Sequence, residues 1–516
     1  MAQTRSITSR NIYLLLIVFA AVVLRVYGIQ SKGLWADEAY SVSFLSYSWQ
    51  DIFQHRYLNR PLYFLILKGW SAIFGTGEVA LRLPAAIFGA MSVPVIYILA
   101  KRLCNVRTAL IAAMLLAVSP FHIYWSQEVR NLTAAVFFAL LNMYYFVGLI
   151  TDRKRSDYLG HALSAVALFL AHPMGLYLLP AQYLYARFFT DPAQARRDQR
   201  HWLILLALVL PILWLGVNDN GRNFFVCLPR TLFQIFETFN FGGPCQAHGQ
   251  SGFVIAADKL VMPRILNWIF ALFFILGMKS YVDRWRSARR DGGSYWPVLI
   301  LLWLVIPVLV PAFLLRHTII ALPAYYLIVA EGWAQISQRK LFAGVVIVVV
   351  LVSGFALKNY YSLGSGRLSW REAGAYVYQH SKKDDVLVFV PSEQLPPFFY
   401  YFGARPSGRS LAHIDRRGYW ERGEFKREFT VEGRKCIGVD LYAVKDFIQA
   451  GALDAFAKER REVWLILSPY WTGTEPEAVK RYFEQYYSEN FSMIVDYNGV
   501  EVRHYTPGQV AHETSL

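Results

Sequence analysis

Charge is scarce in this chain. Asp, Glu, Lys and Arg make up 17% of its 516 residues, against 55% hydrophobic and 16% aromatic residues. That share excludes the charged coat of an ordinary water-soluble domain, and with a mean hydropathy of +0.30 it is a membrane protein's balance. Cysteine is scarce too, at four residues, and no CxxC or Cys/His spacing among them supports a zinc site. Acidic residues are outnumbered, which leaves a net charge of +16. The basic residues form no continuous face, however, so a nucleic-acid surface is not what they build.

They gather instead in short clusters between apolar runs: Arg5 and Arg10; Lys101, Arg102 and Arg107; Arg153, Lys154 and Arg155; Arg196, Arg197 and Arg200; Lys279 to Arg290; Arg339 and Lys340. The positive-inside rule puts these clusters, and the N-terminus, in the cytoplasm. Apolar runs near 12–29, 83–100, 108–122, 132–150, 159–172, 174–186, 202–217, 265–278, 296–314, 318–336 and 341–357 then predict about eleven spans, some of them short for roughly 30 Å of hydrocarbon. The segment "PLYFLILKGWSAIFG", which carries Lys68, reads as a helix lying along the outer surface, because a crossing there would turn every later basic cluster outward. The first apolar run is too long to favour a cleaved signal peptide. Arg25, near its outer end, is expected to snorkel to the headgroups as an interface anchor.

Residues 1–357 are thus expected to form a polytopic α-helical membrane domain with outer loops at 30–82 and 218–264. After Leu357 the composition changes. The runs "DVLVFVP", "EVWLILSPY" and "SMIVDYNGVEVRHY" are strand-like, and the amphipathic "EAVKRYFEQYYSENF" lies among them. This alternation predicts a small C-terminal α/β domain over 358–516. An odd number of spans makes that domain extracytoplasmic, or periplasmic if the membrane is a cell's inner membrane. Cys227 and Cys245 share the outer loop 218–264, where an oxidising compartment permits a disulfide; the alternative is two buried thiols. Cys104 falls on the cytoplasmic side, and Cys436 stands unpaired in the outer domain.

The same parity sends the unusual charges to one face of the membrane: Asp37 and Glu38 in "GLWADEAYS", Arg60 in "NRPLY", Glu128 and Arg130 in "YWSQEVRN", His172, and Arg316 with His317 in "FLLRHT". Singly, each reads as an interface charge or a helix cap. Together they have the form of an active site, because carboxylates and arginines near a bilayer are costly without a partner or a task. A carboxylate such as Asp37 suits proton transfer from an incoming hydroxyl, and a guanidinium presents paired donors to a phosphate. Asp37 and Glu128 would also permit a shared divalent metal, which nothing in the spacing requires. Trp35, Tyr124 and Trp125 are either sugar-stacking or interfacial aromatics.

The order of "LWADEAYS", "NRPLYFLILKGW", "ALRLPAAIFGAMSVPVIYILAKRL", "SPFHIYWSQEVRN" and "RHTIIALPAYYLIVAEGW" resembles the GT-C glycosyltransferases of the dolichyl-phosphate-mannose-protein mannosyltransferase and aminoarabinose transferase superfamily. The resemblance covers most of 12–357. It implies a sugar donor carried on a polyprenyl phosphate and an acceptor glycan, lipid or protein at the outer face. Asp37 would be the general base or acceptor-orienting acid, supported by Glu38, and Glu128 the second acid. Arg130 and Arg316 would hold the phosphate. One departure stands out: many relatives have His-Pro-Pro-Leu-Tyr where Asn59 and Arg60 replace the His-Pro pair here. With no second carboxylate clearly placed as a covalent nucleophile, inversion by single displacement is the expected stereochemistry. The competing expectation is a lipid flippase or transporter, which would place its acids near the bilayer midplane in broken helices.

Overall fold

The structure is a computed structural model and describes residues 2–54, 61–220, 232–241, 261–291, 295–309, 315–362, 370–390, 395–403, 427–439, 461–467, 475–485, 487–495 and 500–507. Arg60, Cys227 and Cys245 lie outside the described residues, so neither the arginine's part in a site nor the disulfide is addressed by it.

Among the described residues up to 362, the structure is helical: α1 (Ala2–Val26), α2 (Ala36–Ser43), α3 (Trp49–Gln54), α4 (Pro61–Phe74), α5 (Glu78–Leu103), α6 (Val106–Val118), α7 (Pro120–Ser126), α8 (Leu132–Thr151), α9 (Arg155–Ala171), α10 (Leu178–Phe188), α11 (Pro192–Arg197), α12 (Gln199–Asn220), α13 (Leu232–Phe241), α14 (Val261–Asp291), α15 (Trp296–Leu309), α16 (Leu322–Trp333) and α17 (Arg339–Ser362). Tight 3-10 turns at Pro173–Tyr177 and Leu315–Ala321 lead into α10 and α16. Among the described residues, four helices are long and apolar enough to cross a membrane alone: Glu78–Leu103, Leu132–Thr151, Leu266–Arg290 and Arg339–Lys358. Each of the other apolar runs carries a helix as well, but several are short, among them Asn11–Val26 and Trp296–Val308.

The run expected to cross at 108–122 is broken. α6 and α7 meet at 56°, because Pro120 cannot donate to the α6 ladder and Ser119 restarts the chain by accepting the His122 N–H at 3.2 Å. This break corrects the expectation for Arg25. Its side chain is fully buried rather than reaching outward. It donates to the carbonyls of Leu116 (3.0 Å) and Ala117 (3.1 Å), freed at the end of α6, and to His122 Nδ1 (2.8 Å). Carbonyls without a helical partner in an apolar interior are costly, so the guanidinium is drawn inward to them.

Elsewhere the bundle relies on close approach. A Cβ at Gly277 would lie 2.0 Å from the Ile328 carbonyl oxygen, and one at Gly332 would lie 1.9 Å from that of Phe273, so α14 and α16 touch backbone to backbone.

The C-terminal part holds α18 (Trp370–His380), α19 (Leu395–Tyr401), α20 (Glu475–Glu484) and a six-stranded sheet of order β2-β3-β1-β4-β6-β5. Its strands are β1 (Val386–Val390), β2 (Arg427–Val431), β3 (Arg434–Gly438), β4 (Val463–Leu467), β5 (Tyr487–Val495) and β6 (Val500–Pro507). The centre β3-β1-β4 is parallel, and the pairs at both edges are antiparallel. β1 and β4 are apolar at every position because both faces of a parallel strand are covered. The amphipathic helix is shorter than its sequence pattern: it ends at Glu484, and "YSENF" opens β5.

The sheet does not have its hydrophobic core to itself. One buried cluster joins Leu34, Val42, Tyr63, Leu81 and Val129 to Trp370, Phe398, Tyr401 and Val502. The loop that carries the adjacent carboxylates therefore packs against the C-terminal part.

Candidate active site

Asp37 and Glu38 occupy the first turn of α2, after Trp35 in extended conformation. Carboxylates belong there, beside N–H groups without helical partners and the positive end of the helix dipole. Neighbours on a helix point about 100° apart, so the two acids serve different partners.

Glu38 turns inward and is fully buried. Its oxygens take Arg82 Nε and Nη2, both at 2.8 Å, and the Val129 N–H at 3.0 Å. Arg82 also donates to the carbonyls of Ile29 and Lys32, each at 2.8 Å. This bidentate pair fastens the 29–38 loop to α5 and to the segment that carries Glu128 and Arg130. Glu38, expected to support Asp37 or bind acceptor, has both oxygens engaged inside the protein.

Asp37 turns outward, and at 24% exposure its side chain is the most open of the charged group. Arg316 Nη1 lies 2.7 Å from its Oδ2, and Arg130 Nη2 lies 3.6 Å from the same oxygen. Arg130 also donates to the Asp37 carbonyl at 3.1 Å. The two guanidiniums are nearly covered, at 7% and 10% exposure, and come from the 126–132 connection and the 3-10 turn before α16. Burial and the neighbouring Arg130 press the Arg316 guanidinium below its ordinary pKa, and Asp37 opposes them. Two cations on one carboxylate leave a local excess of positive charge, suited to an anion.

Glu128 is fully buried and accepts the Trp35 Nε1–H at 2.6 Å, which ties it back to the residue that opens α2. Beside it, Gln127 donates to the Tyr27 carbonyl at 2.7 Å and to that of Arg25 at 3.1 Å, and its Oε1 accepts from Tyr360 at 3.0 Å. The Glu128 segment is therefore held from the end of α1 and from α17. His172 and His317 meet edge to face with ring centroids 5.1 Å apart, and His172 Nδ1 accepts the Met174 N–H at 3.1 Å. Arg316 lies over the Trp125 ring at 5.9 Å.

The expected residues Asp37, Glu38, Glu128, Arg130 and Arg316 thus share one network drawn from distant parts of the chain. Arg82 and Gln127 hold this network as well, and the sequence motifs that contain them point to no role for either. A lone arginine in the apolar run "ALRLPAAIF" was the available signal for the first.

Residues 59–215 match the family described as dolichyl-phosphate-mannose-protein mannosyltransferase. No curated protein sequence matches the chain. ArnT from Cupriavidus metallidurans, solved with undecaprenyl phosphate bound, is similar in fold with a TM-score of 0.56 at 13% identity, covering 95% of this chain and 98% of ArnT. The Archaeoglobus fulgidus oligosaccharyltransferase is similar at a TM-score of 0.54 and 12% identity, covering 97% of this chain and 75% of that one. The chain is thus similar in fold to these two proteins over nearly its whole length. Asp37 lies in α2, Arg130 in the connection before α8 and Arg316 in the turn before α16, and of the three only Arg130 falls within the matched segment 59–215.

Proposed function

We propose that this chain is an integral membrane glycosyltransferase that moves a sugar from a polyprenyl phosphate to a hydroxyl-bearing acceptor at the outer face of the inner membrane. Its N-terminus is cytoplasmic and its C-terminal α/β part extracytoplasmic. The observation that carries this reading is Asp37 held between Arg316 and Arg130. The arrangement supplies both things an inverting transfer needs: a partly exposed carboxylate and an anion site next to it.

The reaction runs as a single displacement. The acceptor oxygen attacks the anomeric carbon, the bond from that carbon to the phosphate oxygen breaks, and the phosphate leaves as a monoester anion held by Arg130 and Arg316. The acceptor proton passes to Asp37 as the new bond forms. Before substrate arrives, Arg316 and Asp37 neutralise each other. A bound phosphate competes for Arg316 and loosens that pair, which leaves the carboxylate available to the acceptor. Glu128, buried beside Trp35, fixes the geometry of the second acidic position.

A resident divalent metal fits this site poorly. Among the described residues, no three His, Cys, Asp or Glu side chains converge as a ligand set, and Asp37 already faces two cations.

The test is release of free polyprenyl phosphate from a polyprenyl-phosphate sugar by membranes carrying the protein, in extracts with native acceptors. Cleavage that depends on the protein supports transfer. A sugar lipid that stays intact while crossing the bilayer overturns it in favour of a flippase.

A further inference from the structure

Tyr63 stands in the first turn of α4, at the end of the "NRPLY" stretch, and is 1% exposed. Its hydroxyl is buried and has no hydrogen-bond partner among the described residues. Leaving a buried hydroxyl unpaired costs about 1–3 kcal/mol, and phenylalanine would fill the same space without that cost. The position is not remote from the chemistry. The charges that act on this hydroxyl are those of Arg130 and Glu38, and the ring packs in one cluster with Val42 of α2 and with Val129. Arg130 repeats the pattern: its Nη atoms serve Asp37, while its buried Nε–H has no acceptor among the described residues.

Two unpaired donors, one of them cationic, lie within electrostatic reach of each other beside the carboxylate that now occupies the arginines. What they lack is an acceptor-rich, negatively charged group. We propose that the Tyr63 hydroxyl, together with Arg130, binds an anionic oxygen of the donor's phosphate once that phosphate has displaced Asp37 from Arg316. This rests on the polyprenyl-phosphate reading above and adds a neutral hydrogen-bond donor to its anion site. A hydroxyl there fixes the orientation of the leaving oxygen without adding charge that would hold the product too tightly.

Tyr63→Phe is the test, because it removes one oxygen that the folded protein does not use. The full-length protein in nanodiscs is titrated with undecaprenyl phosphate, and thermal unfolding is read on the same samples. The expected result is an unfolding temperature equal to or above wild type, with affinity weakened about ten- to a hundredfold, the size of one hydrogen bond to a charged group. In a cycle with Arg130→Gln, the combined loss should be smaller than the product of the two single losses, since both donors serve one group. Equal affinities of wild type and Tyr63→Phe overturn the role of Tyr63 and leave the donor reading standing. Absence of undecaprenyl-phosphate binding by wild type overturns both. A Tyr63→Phe protein that is markedly less stable also overturns the proposal, since the hydroxyl would then have an internal partner.

Discussion

At the scale of residues, the two adjacent carboxylates divide their work by direction. Glu38 is a strut, and its value is structural: removing one member of a buried ion pair leaves the other charged and unpaired, at a cost of about 3–5 kcal/mol. Arg82→Met is therefore expected to lower thermal stability by that amount, whereas Asp37→Asn, at a partly exposed position where the amide oxygen can still accept from Arg316, should cost less. Unfolding followed by tryptophan fluorescence checks both. Cys436 offers a separate probe. Burial is the main cause that pushes its thiol up to about 12, so the thiolate is absent at neutral pH. Maleimide labelling should be negligible in the folded protein and complete after denaturation.

At the scale of elements, the apolar runs were legible because a helix in hydrocarbon needs little more than a long uncharged stretch. The Val106–Ser126 break and the inward turn of Arg25 were not legible. Both depend on which carbonyls lose their partners at Pro120, a fact of three-dimensional pairing. In the C-terminal sheet, the strand-like runs became β1, β4, β5 and β6. The hairpin β2–β3 was not legible because charged residues interrupt the apolar alternation of "REFTVEGRKCIG". Its signal was the two-residue turn Glu432-Gly433, whose φ values of 49° and 86° fit a tight hairpin. The contact of α14 with α16 yields a prediction at this scale. Gly332→Val forces backbone against side chain and should destabilise the protein by about 1–3 kcal/mol or more, measured by thermal unfolding in detergent.

At the scale of the whole molecule, the change of composition at Leu357 marks the last apolar helix but does not divide the hydrophobic core. Tyr401 accepts the Leu34 N–H at 2.7 Å and donates to Glu78 at 2.6 Å, and Glu78 pairs with Arg371 at 2.6 Å. The Tyr400 hydroxyl donates to the Thr76 carbonyl at 2.7 Å. These contacts seat the C-terminal part on the loop that leads into Asp37. They were beyond reach of the sequence because the partners stand more than 290 positions apart. Tyr401→Phe leaves Leu34 and Glu78 without that hydroxyl, so a loss of about 1–3 kcal/mol in stability is expected, with turnover falling alongside. The assay is unfolding and polyprenyl-phosphate release on the same preparation.

Asp37 remains the centre of the account, since it is assigned both as the proton acceptor and as the group that phosphate must displace from Arg316. The direct test is Asp37→Asn in nanodiscs, measured for turnover of a polyprenyl-phosphate sugar and for affinity toward undecaprenyl phosphate. The predicted result is turnover reduced about 10²–10⁴-fold, with affinity at least as tight as wild type because a competitor for the arginines has been neutralised. Unchanged turnover, or affinity lost together with turnover in a folded protein, would contradict the assignment.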